Sequence, residues 1–218
     1  MTRLQIALDT ADQPAALRPL SAAIDSIDVI ECGTILILHE GLSAVRNIRA
    51  LYPQKTILAD VRIVEAGSII AKACFEAGAN YVSVVAGASL TTIEQVVKVA
   101  HEYGGEVQVE LADEHYSLQQ AQAWREAGVV HAIVKRSRDL EASGKLEWSQ
   151  KDFERIRELK DLGFTVTVTG GIKAAELDVF AGQPVDIVIA GREIVQADHP
   201  AKAAATLRTK IDEIFSTV

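Results

Sequence analysis

The sequence has few cysteines and no metal-binding pattern around them. Cys32 and Cys74 are the only two, they lie far apart, and neither has a Cys or His at the spacing of a zinc site. This absence disfavours a zinc-stabilised fold. We expect two buried free thiols in a protein of a reducing compartment.

Long hydrophobic runs and an excess of basic residues are also absent. No apolar stretch approaches the roughly 20 residues that span a bilayer, and strand-like sequence, not a signal peptide, follows Met1 at once. Thirty acidic residues against 22 basic ones give a net charge of −8, which disfavours nucleic acid and anionic membranes as partners. We therefore expect a cytoplasmic protein in which a few local basic groups and backbone amides would hold any anionic ligand.

No linker interrupts the 218 residues. Short β-branched or apolar runs alternate with amphipathic stretches over the whole length, which is the pattern of repeated βα units in a single domain spanning residues 1–218. The predicted strands are Leu4 to Leu8, Val29 to Cys32, Thr56 to Ala59, Tyr81 to Val85, Glu106 to Leu111, Ala132 to Val134, Thr165 to Thr169 and Ile187 to Ala190.

Helical segments lie between these strands, with apolar residues three and four positions apart. A helix is expected after each strand, and several end at a glycine that can adopt the left-handed conformation: Gly78, Gly104, Gly128 and Gly163. The clearest helices are Gly67 to Ala77, Thr91 to Tyr103, Ser117 to Ala127, Ser149 to Asp161 and Pro200 to Phe215.

Eight βα units predict a (β/α)₈ TIM barrel. The rival architecture is an open doubly wound sheet, which usually has fewer strands and often a glycine-rich turn after its first strand. This chain has Leu8-Asp9-Thr10-Ala11-Asp12 at that point. The barrel is therefore favoured, and its catalytic groups are expected at the C-terminal ends of the strands.

Polar residues stand at the ends of six of the predicted strands: Asp9, Glu31, Asp60, Glu110, Lys135 and Thr169. Each one alone is consistent with a helix cap or a solvated loop residue. At the ends of barrel strands, however, all six converge on one face. Together they predict the functional site.

Two of these residues suggest a metal ion. Glu31 and Asp60 lie on neighbouring strands and offer carboxylate oxygens, which suit Mg²⁺ when water and substrate complete its octahedron. No His stands among the strand ends, so zinc and iron are disfavoured. The alternative is an acidic pair that is satisfied by Arg62.

Glycine-bearing turns follow the last two strands. They are Thr169-Gly170-Gly171 and Ala190-Gly191-Arg192. In barrels, backbone N–H groups and a short helix N-terminus at this place bind phosphate, and glycine permits the close approach. Arg192 adds a charge that can bind bidentately. The pair of turns predicts a phosphate site, with ordinary turns as the alternative.

Two strand ends carry dense charge. The third continues as Asp60 to Glu65 (DVRIVE), and the sixth as Lys135 to Asp139 (KRSRD). Such density indicates stabilisation of developing negative charge and delivery of protons. Within it we expect Arg136 and Asp139 to form surface salt bridges.

A set of motifs from the first strand to the last carries a family resemblance. The motifs are Ala7 to Asp9, Ile30 to Thr34, Leu58 to Asp60, Arg136 to Asp139, Val166 to Gly171 and Ile189 to Arg192. In type and spacing they resemble the 3-keto-L-gulonate 6-phosphate decarboxylase family, within the orotidine 5′-monophosphate decarboxylase suprafamily.

The resemblance implies a homodimeric barrel with a shared active site. Such enzymes use Mg²⁺ to decarboxylate a 3-keto sugar-acid phosphate through an enediolate, giving L-xylulose 5-phosphate in ascorbate breakdown. By motif, Glu31 and Asp60 would bind the metal. The substrate would be bound by Asp9, Glu110 and Thr169, and its phosphate by Gly170, Gly171, Gly191 and Arg192.

The chain departs from this family at three positions. The family's third-strand signature is Asp-x-Lys-x-x-Asp, where this chain has Asp60, Arg62 and Glu65, and the usual His before Arg-Ser-Arg-Asp is Lys135. Arginine keeps the positive charge but is a poor proton donor, whereas a lysine near other cations can exchange protons. We therefore expect Arg62 to stabilise the enediolate and Lys135 or Arg138 to deliver the proton. By resemblance, Glu65 would reach the partner subunit's site.

Three functions remain open on the sequence alone. The first is decarboxylation of 3-keto-L-gulonate 6-phosphate or a close analogue. The second is another enediolate reaction on a sugar phosphate, such as isomerisation, epimerisation or the aldol chemistry of hexulose-6-phosphate synthases. The third is a non-catalytic phosphosugar-binding protein. The Arg-Ser-Arg-Asp run disfavours aldol activity, and retention of Glu31, Asp60 and Arg192 disfavours loss of catalysis.

Overall fold

The structure, a computed structural model, describes residues 1–111, 115–136 and 147–215. Its strands are β1 (Arg3–Leu8), β2 (Val29–Cys32), β3 (Thr56–Ile63), β4 (Tyr81–Val85), β5 (Glu106–Glu110), β6 (His131–Lys135), β7 (Thr165–Thr169) and β8 (Ile187–Ala190). They pair in parallel in chain order, and β1 also pairs with β8. The sheet is a closed barrel, as the sequence predicts.

Helices follow the strands and cover the outside of the barrel. They are α1 (Gln13–Ala23), α2 (Thr34–Glu40), α3 (Ser43–Leu51), α4 (Gly67–Glu76), α5 (Leu90–Tyr103), α6 (Leu118–Glu126), α7 (Gln150–Asp161), α8 (Arg192–Val195) and α9 (Pro200–Phe215). Two 3₁₀ segments, Ile24–Ser26 and Ala174–Phe180, complete the described regular structure.

The predicted helix ends are confirmed to within a residue. Ser117 and Ser149, which the pattern placed inside helices, are the N-caps of α6 and α7, and each hydroxyl accepts the backbone N–H three residues on. The glycines predicted to end helices all have positive φ: 101° at Gly78, 65° at Gly104, 99° at Gly128 and 85° at Gly163.

Side chains alternate between the inside and the outside of the barrel because successive residues of a strand face opposite ways. In β6, Ile133 and Lys135 line the interior chamber, whereas Val134 between them is buried in the core. Ile156 and Leu159 of α7 are buried in the same core. This alternation directs every second side chain of a strand into the barrel, and the inward side chains nearest the C-terminal ends line the chamber.

Strand β3 is longer than predicted and irregular. The pattern ended it at Ala59, but the strand continues to Ile63, and its pairing with β4 shifts from Ala59 opposite Val82 to Ile63 opposite Val84. A bulge therefore lies between these pairs. Within it Arg62 has a φ of 47°, a left-handed conformation that is uncommon for a residue with a Cβ.

The connection after β7 also differs from the expected α-helix. It contains the 3₁₀ segment Ala174–Phe180. A 3₁₀ helix rises about 2.0 Å per residue against about 1.5 Å for an α-helix, so a short connection covers more distance this way.

Other sequence expectations can be compared directly. Cys32 and Cys74 are buried and free, as predicted, and burial raises the pKa of both thiols to about 12. Within the described ranges, no helix is both long and apolar enough to span a membrane.

Candidate active site

The C-terminal strand ends surround a chamber of about 740 Å³. Its walls include all six strand-end residues that the sequence singled out, namely Asp9, Glu31, Asp60, Glu110, Lys135 and Thr169. The residues of the two glycine turns also line the chamber, namely Gly170, Gly171, Gly191 and Arg192. Barrel closure brings these residues together because every parallel strand ends at the same rim.

Asp60 is fixed by hydroxyl groups on both sides. Ser83 of β4 donates to Oδ1 at 2.7 Å, and Thr34 at the start of α2 donates to Oδ2 at 2.7 Å. Ser83 also accepts the backbone N–H of Arg62 at 2.9 Å. A single buried hydroxyl therefore fixes the carboxylate and the bulge that presents Arg62.

Acidic and basic groups alternate across the chamber. The Nε atom of Arg62 lies 3.4 Å from Asp60 Oδ2 and 3.4 Å from Glu110 Oε2, while Lys135 donates to Glu110 Oε1. The resulting order is Asp60, Arg62, Glu110, Lys135. Although burial opposes the charge of Arg62, the surrounding carboxylates, Asp60 and Glu110 foremost, raise its pKa. Arg62 is therefore a permanent cation at this position.

Glu31 lies where a negative charge is unfavourable. Burial first, and then repulsion from Asp60, Asp9 and Glu110, raise the pKa of Glu31 well above its ordinary value, against a hydrogen bond that lowers it. That hydrogen bond comes from Gln5, which donates to Oε2 at 2.6 Å. A cation beside Glu31 and Asp60 would relieve this repulsion.

The donor set is compatible with Mg²⁺. Within the part of the chain that the structure describes, no group of three or more His, Cys, Asp or Glu side chains could enclose a metal ion. Mg²⁺ commonly uses only one or two carboxylates and completes its shell with water and substrate. Glu31 and Asp60 match that requirement, and Gln5 leaves Glu31 Oε1 without a donor among the described residues.

The chamber is polarised. Carboxylates lie at or next to the ends of β1, β2 and β5 and, as Asp60, within the irregular part of β3, where Arg62 is the accompanying cation. The opposite wall, on and after β6, β7 and β8, carries Lys135, Arg136, Lys173 and Arg192, with Glu193 as an exception. Gly170 and Gly171 have φ values of 114° and 64°, so this wall also contains backbone that only glycine adopts easily.

Two predicted catalytic residues are not in the described chamber. Glu65 is exposed on the surface after β3 and does not line it. Arg138 lies outside the described residues, as do Ser137 and Asp139. The environment of Lys135 also differs from the expected one, because its described ion pair joins it to the carboxylate of Glu110.

The expectation for Arg136 is confirmed only in part. Arg136 does form a salt bridge, to Glu176, but only 10% of the Arg136 side chain is exposed. Its Nε donates to the Gly170 carbonyl at 2.9 Å, and its guanidinium carbon lies 5.1 Å from the centre of the Trp148 ring. Glu176 accepts a hydrogen bond from Nη2 at 3.3 Å and so gives the mostly buried guanidinium a carboxylate partner.

Sequence reasoning missed several residues of the site. Ser83 is hidden within an apolar strand, and its inward position is the only signal that could have drawn attention to it. Gln5 lies two residues before the motif Ala7 to Asp9, and Thr34 is the last residue of the motif Ile30 to Thr34, but neither residue has an evident role of its own in the sequence. Lys173 lines the basic wall. It stands two residues after Gly171, so its short distance from the glycine turn in the sequence was a signal that could have identified it.

Taken together, the barrel and the charged chamber at its strand ends define a (β/α)₈-barrel enzyme. The family model described as "Orotidine 5'-phosphate decarboxylase / HUMPS family" matches residues 2–207. The chain belongs to this family.

Relatives of known name are similar over nearly the whole chain. A 3-keto-L-gulonate-6-phosphate decarboxylase UlaD of Salmonella newport is 41% identical over 212 residues, which cover 97% of each chain. A crystal structure of KGPDC from Streptococcus mutans has a TM-score of 0.94 and 35% identity, covering 98% of this chain and 99% of that one.

Solved structures of two different activities resemble the fold equally well. The 3-keto-L-gulonate-6-phosphate decarboxylase from Vibrio cholerae has a TM-score of 0.90 and 36% identity, covering 98% and 99% of the two chains. The 3-hexulose-6-phosphate synthase from Salmonella typhimurium also has a TM-score of 0.90, but 29% identity, covering 97% and 99%. The backbone does not separate these activities, whereas sequence identity is higher to the decarboxylases.

Proposed function

We propose that this protein is a Mg²⁺-dependent sugar-phosphate decarboxylase. Its substrate is 3-keto-L-gulonate 6-phosphate or a close keto sugar-acid phosphate, and its product is a pentulose 5-phosphate such as L-xylulose 5-phosphate. The observation that carries the proposal is the polarised chamber, which offers cations to a phosphate at one wall and an alternating charge array at the other. The 41% identity to a decarboxylase supports the same conclusion.

The basic wall is assigned to the substrate phosphate. Arg192 can bind phosphate oxygens through two parallel N–H groups. The backbones of Gly170, Gly171 and Gly191 permit close approach of an anion, since these three residues carry no side chain of their own. Binding at this wall would direct the carboxylate-bearing end of the sugar towards β2, β3 and β5.

The acidic wall is assigned to the reacting atoms. Glu31 and Asp60 would hold Mg²⁺, which when bound supplies a Lewis acid for the keto oxygen. Asp9, Glu110 and Thr169 line the chamber and are assigned to the sugar hydroxyls. Thr169 can donate through its hydroxyl, and both carboxylates can accept from the substrate.

Arg62 is assigned to charge stabilisation. When the bond to the carboxylate carbon breaks, CO₂ leaves and the electron pair is delocalised onto the neighbouring keto oxygen as an enediolate. The Arg62 guanidinium is held beside Asp60 and Glu110, and a fixed cation stabilises such an oxyanion without reorganising. Its raised pKa makes it a poor source of the proton that must follow.

Lys135 and Arg138 are assigned to protonation of the enediolate carbon. Lys135 lines the chamber and is anchored by Glu110, which is also the partner of Arg62. Lys135 and Arg62 therefore share Glu110 as a partner, which places the proposed proton donor close to the proposed stabilising cation. Arg138, which lies outside the described residues, is assigned from the sequence.

Activity is proposed to require a homodimer with a shared active site. Glu65 is exposed in the single chain, and apolar side chains of Val64 beside it and Ile69 on α4 are exposed as well. Exposed apolar surface next to a charged residue is typical of an interface. Association at this surface would place Glu65 against a second subunit. We also propose that the chain is one domain, residues 1–218, and that it acts in the cytoplasm in ascorbate breakdown.

The decisive experiment is a substrate screen of the purified protein. It would follow CO₂ release and sugar products from 3-keto-L-gulonate 6-phosphate and from pentose and hexose phosphates, with and without Mg²⁺. The proposal expects CO₂ from the keto acid phosphate at an ordinary turnover number, on the order of 1 to 100 s⁻¹. Failure to release CO₂ from any keto acid phosphate would reject it.

A related enediolate reaction on a sugar phosphate is the second candidate. It is favoured by the similarity to a 3-hexulose-6-phosphate synthase and by the changed residues Arg62, Glu65 and Lys135. In the same screen this function would give isomerised, epimerised or aldol products without CO₂. Tight binding of sugar phosphates with no turnover would instead support a non-catalytic binding protein.

A further inference from the structure

Arg136 has the contacts of a buried clamp. It follows β6, and its backbone N–H continues the ladder to β7 by donating to the Thr169 carbonyl at 3.1 Å. Its side chain contacts the residue that follows Thr169: Arg136 Nε donates to the Gly170 carbonyl at 2.9 Å. The guanidinium is further held by Glu176 and by the Trp148 ring.

Gly170 is pressed against this arginine. A Cβ atom added at Gly170 would lie 2.7 Å from Cβ of Arg136 and 2.8 Å from its backbone nitrogen and oxygen. The φ of Gly170 is also 114°, a region that other residues rarely adopt. Both features require glycine at this position. Arg136 therefore contacts Gly170 in two ways, through the hydrogen bond from Nε to the carbonyl and through close packing of its backbone and Cβ.

The carbonyl that Arg136 holds belongs to the same peptide unit as the N–H of Gly171. This unit is planar and trans, so its C=O and N–H point in opposite directions. Holding the carbonyl at Arg136 Nε therefore also fixes the direction of the Gly171 N–H. None of the residues in 1–111, 115–136 and 147–215 accepts a hydrogen bond from that N–H.

We propose that Arg136 is a positioning residue that aims the Gly171 N–H at the substrate phosphate. The inference rests on the proposed phosphate subsite and adds a residue to it that acts through the backbone. It explains why an arginine that lines the basic wall directs its described side-chain contacts to Gly170, Glu176 and Trp148. Loss of the clamp lets the peptide unit rotate and removes one oriented donor from the anion.

The chain contains a matched control for this contact. Arg49 of α3 also donates from Nε to the carbonyl of a glycine with positive φ, Gly78, at 2.8 Å. Gly78 precedes β4, so this second clamp lies at the opposite end of the barrel from the chamber. Changing it removes the same type of contact away from the proposed phosphate subsite.

The experiment uses inorganic phosphate as the probe and the full-length protein labelled with ¹⁵N in its 14 glycines. Phosphate titration of the wild type should shift the Gly171 amide resonance, which is assigned through a Gly171→Ala variant. Arg136→Met and Arg136→Lys should each weaken phosphate binding roughly tenfold, the order of one charge-assisted hydrogen bond, and abolish that shift. Arg49→Lys should leave both unchanged. With substrate, the Arg136 variants should raise KM more than they lower kcat.

Each alternative outcome has a definite meaning. Wild-type phosphate affinity in Arg136→Lys would show that charge alone matters and would overturn the clamp. A Gly171 resonance that does not shift when phosphate is added would overturn it too, and this titration is carried out on the wild-type protein. If Arg192→Ala still weakens phosphate binding in that case, the proposed phosphate subsite survives and only the role of Arg136 is lost. Absence of phosphate binding by the wild type rejects both.

Discussion

The hydroxyl of Ser83 donates a 2.7 Å hydrogen bond to Oδ1 of Asp60, across the bulge where β3 and β4 lose their regular register. The Ser83 oxygen also accepts the N–H of Arg62, whose φ is 47°. The completely buried Ser83 side chain therefore orients both Asp60, the proposed metal ligand, and the backbone of Arg62, the proposed enediolate-stabilising cation. Its contribution to activity can be separated from its contribution to stability.

Ser83→Ala should impair turnover more than substrate binding. Without the hydroxyl, the Asp60 carboxylate can rotate and the Arg62 N–H loses its acceptor, and misplaced reacting groups cost activity steeply. We expect kcat to fall about tenfold or more, and the free energy of unfolding to fall by about 1 to 3 kcal/mol. Steady-state kinetics and denaturant unfolding measure the two effects.

Thr167→Val is the matched control for Ser83→Ala. Thr167 is a completely buried hydroxyl on β7 that has no hydrogen-bond partner among the described residues. Its removal should leave kcat near the parent value. If both variants keep the parent kcat, Ser83 does not orient the site.

Arg192→Ala should weaken binding of a phosphorylated substrate by roughly 2 to 4 kcal/mol, the order expected when one partner of a desolvated charged pair is removed. The physical reason is the loss of a guanidinium from the basic wall of the chamber. Inhibition by free phosphate should weaken in parallel. Unchanged affinities for both ligands would remove Arg192 from the phosphate subsite.

Turnover should depend on Mg²⁺ through Glu31 and Asp60. Incubation with EDTA should abolish activity and added Mg²⁺ should restore it, while Glu31→Gln and Asp60→Asn should raise the Mg²⁺ concentration needed for half-maximal activity. Glu193→Gln is the control, because Glu193 is a carboxylate on the opposite wall. Full activity after rigorous metal removal would contradict the assignment.

Lys135→Ala should slow protonation more than it weakens substrate binding. Loss of a proton donor from the chamber should lower kcat at least about tenfold and change the deuterium content of the product formed in D₂O. Lys135→His, which restores the residue of the resembled family, should retain a donor and remain close to the parent. A Lys135→Ala enzyme with the parent kcat and deuteration pattern would reject Lys135 as the donor.

Stability should show a pH dependence that arises far from the chamber. His131 Nε2 lies 2.6 Å from Glu106 Oε2 at the starts of β5 and β6, and this hydrogen bond, foremost, lowers the pKa of Glu106 against the opposing effect of burial. A carboxyl group whose pKa is lower in the folded state stabilises the fold above its unfolded pKa and loses that contribution as pH falls through the folded value. Glu106→Gln should therefore lower Tm at pH 7, and the difference should shrink towards acidic pH. A difference in Tm that does not vary with pH would contradict this origin.

The fold and most of the chamber lining could be predicted from sequence because their signals are local. Alternation along each strand, helical spacing and glycines at helix ends report short-range geometry, and eight βα units leave few ways to close a sheet. Once the barrel is assumed, parallel strands carry Asp9, Glu31 and Asp60 to one rim without any knowledge of contacts.

The tertiary structure decided what those residues touch. The bulge in β3 depends on the register against β4, which closure of the whole barrel sets, so neither the left-handed Arg62 nor the role of Ser83 is visible in the chain itself. Arg136 shows the same limit: a charged residue among charges looks like surface, and only packing against Gly170 and Trp148 buries it. Sequence determined which residues reach the rim, because side-chain alternation is a property of the strand. Their hydrogen bonds and burial were decided by neighbours that are distant in the chain.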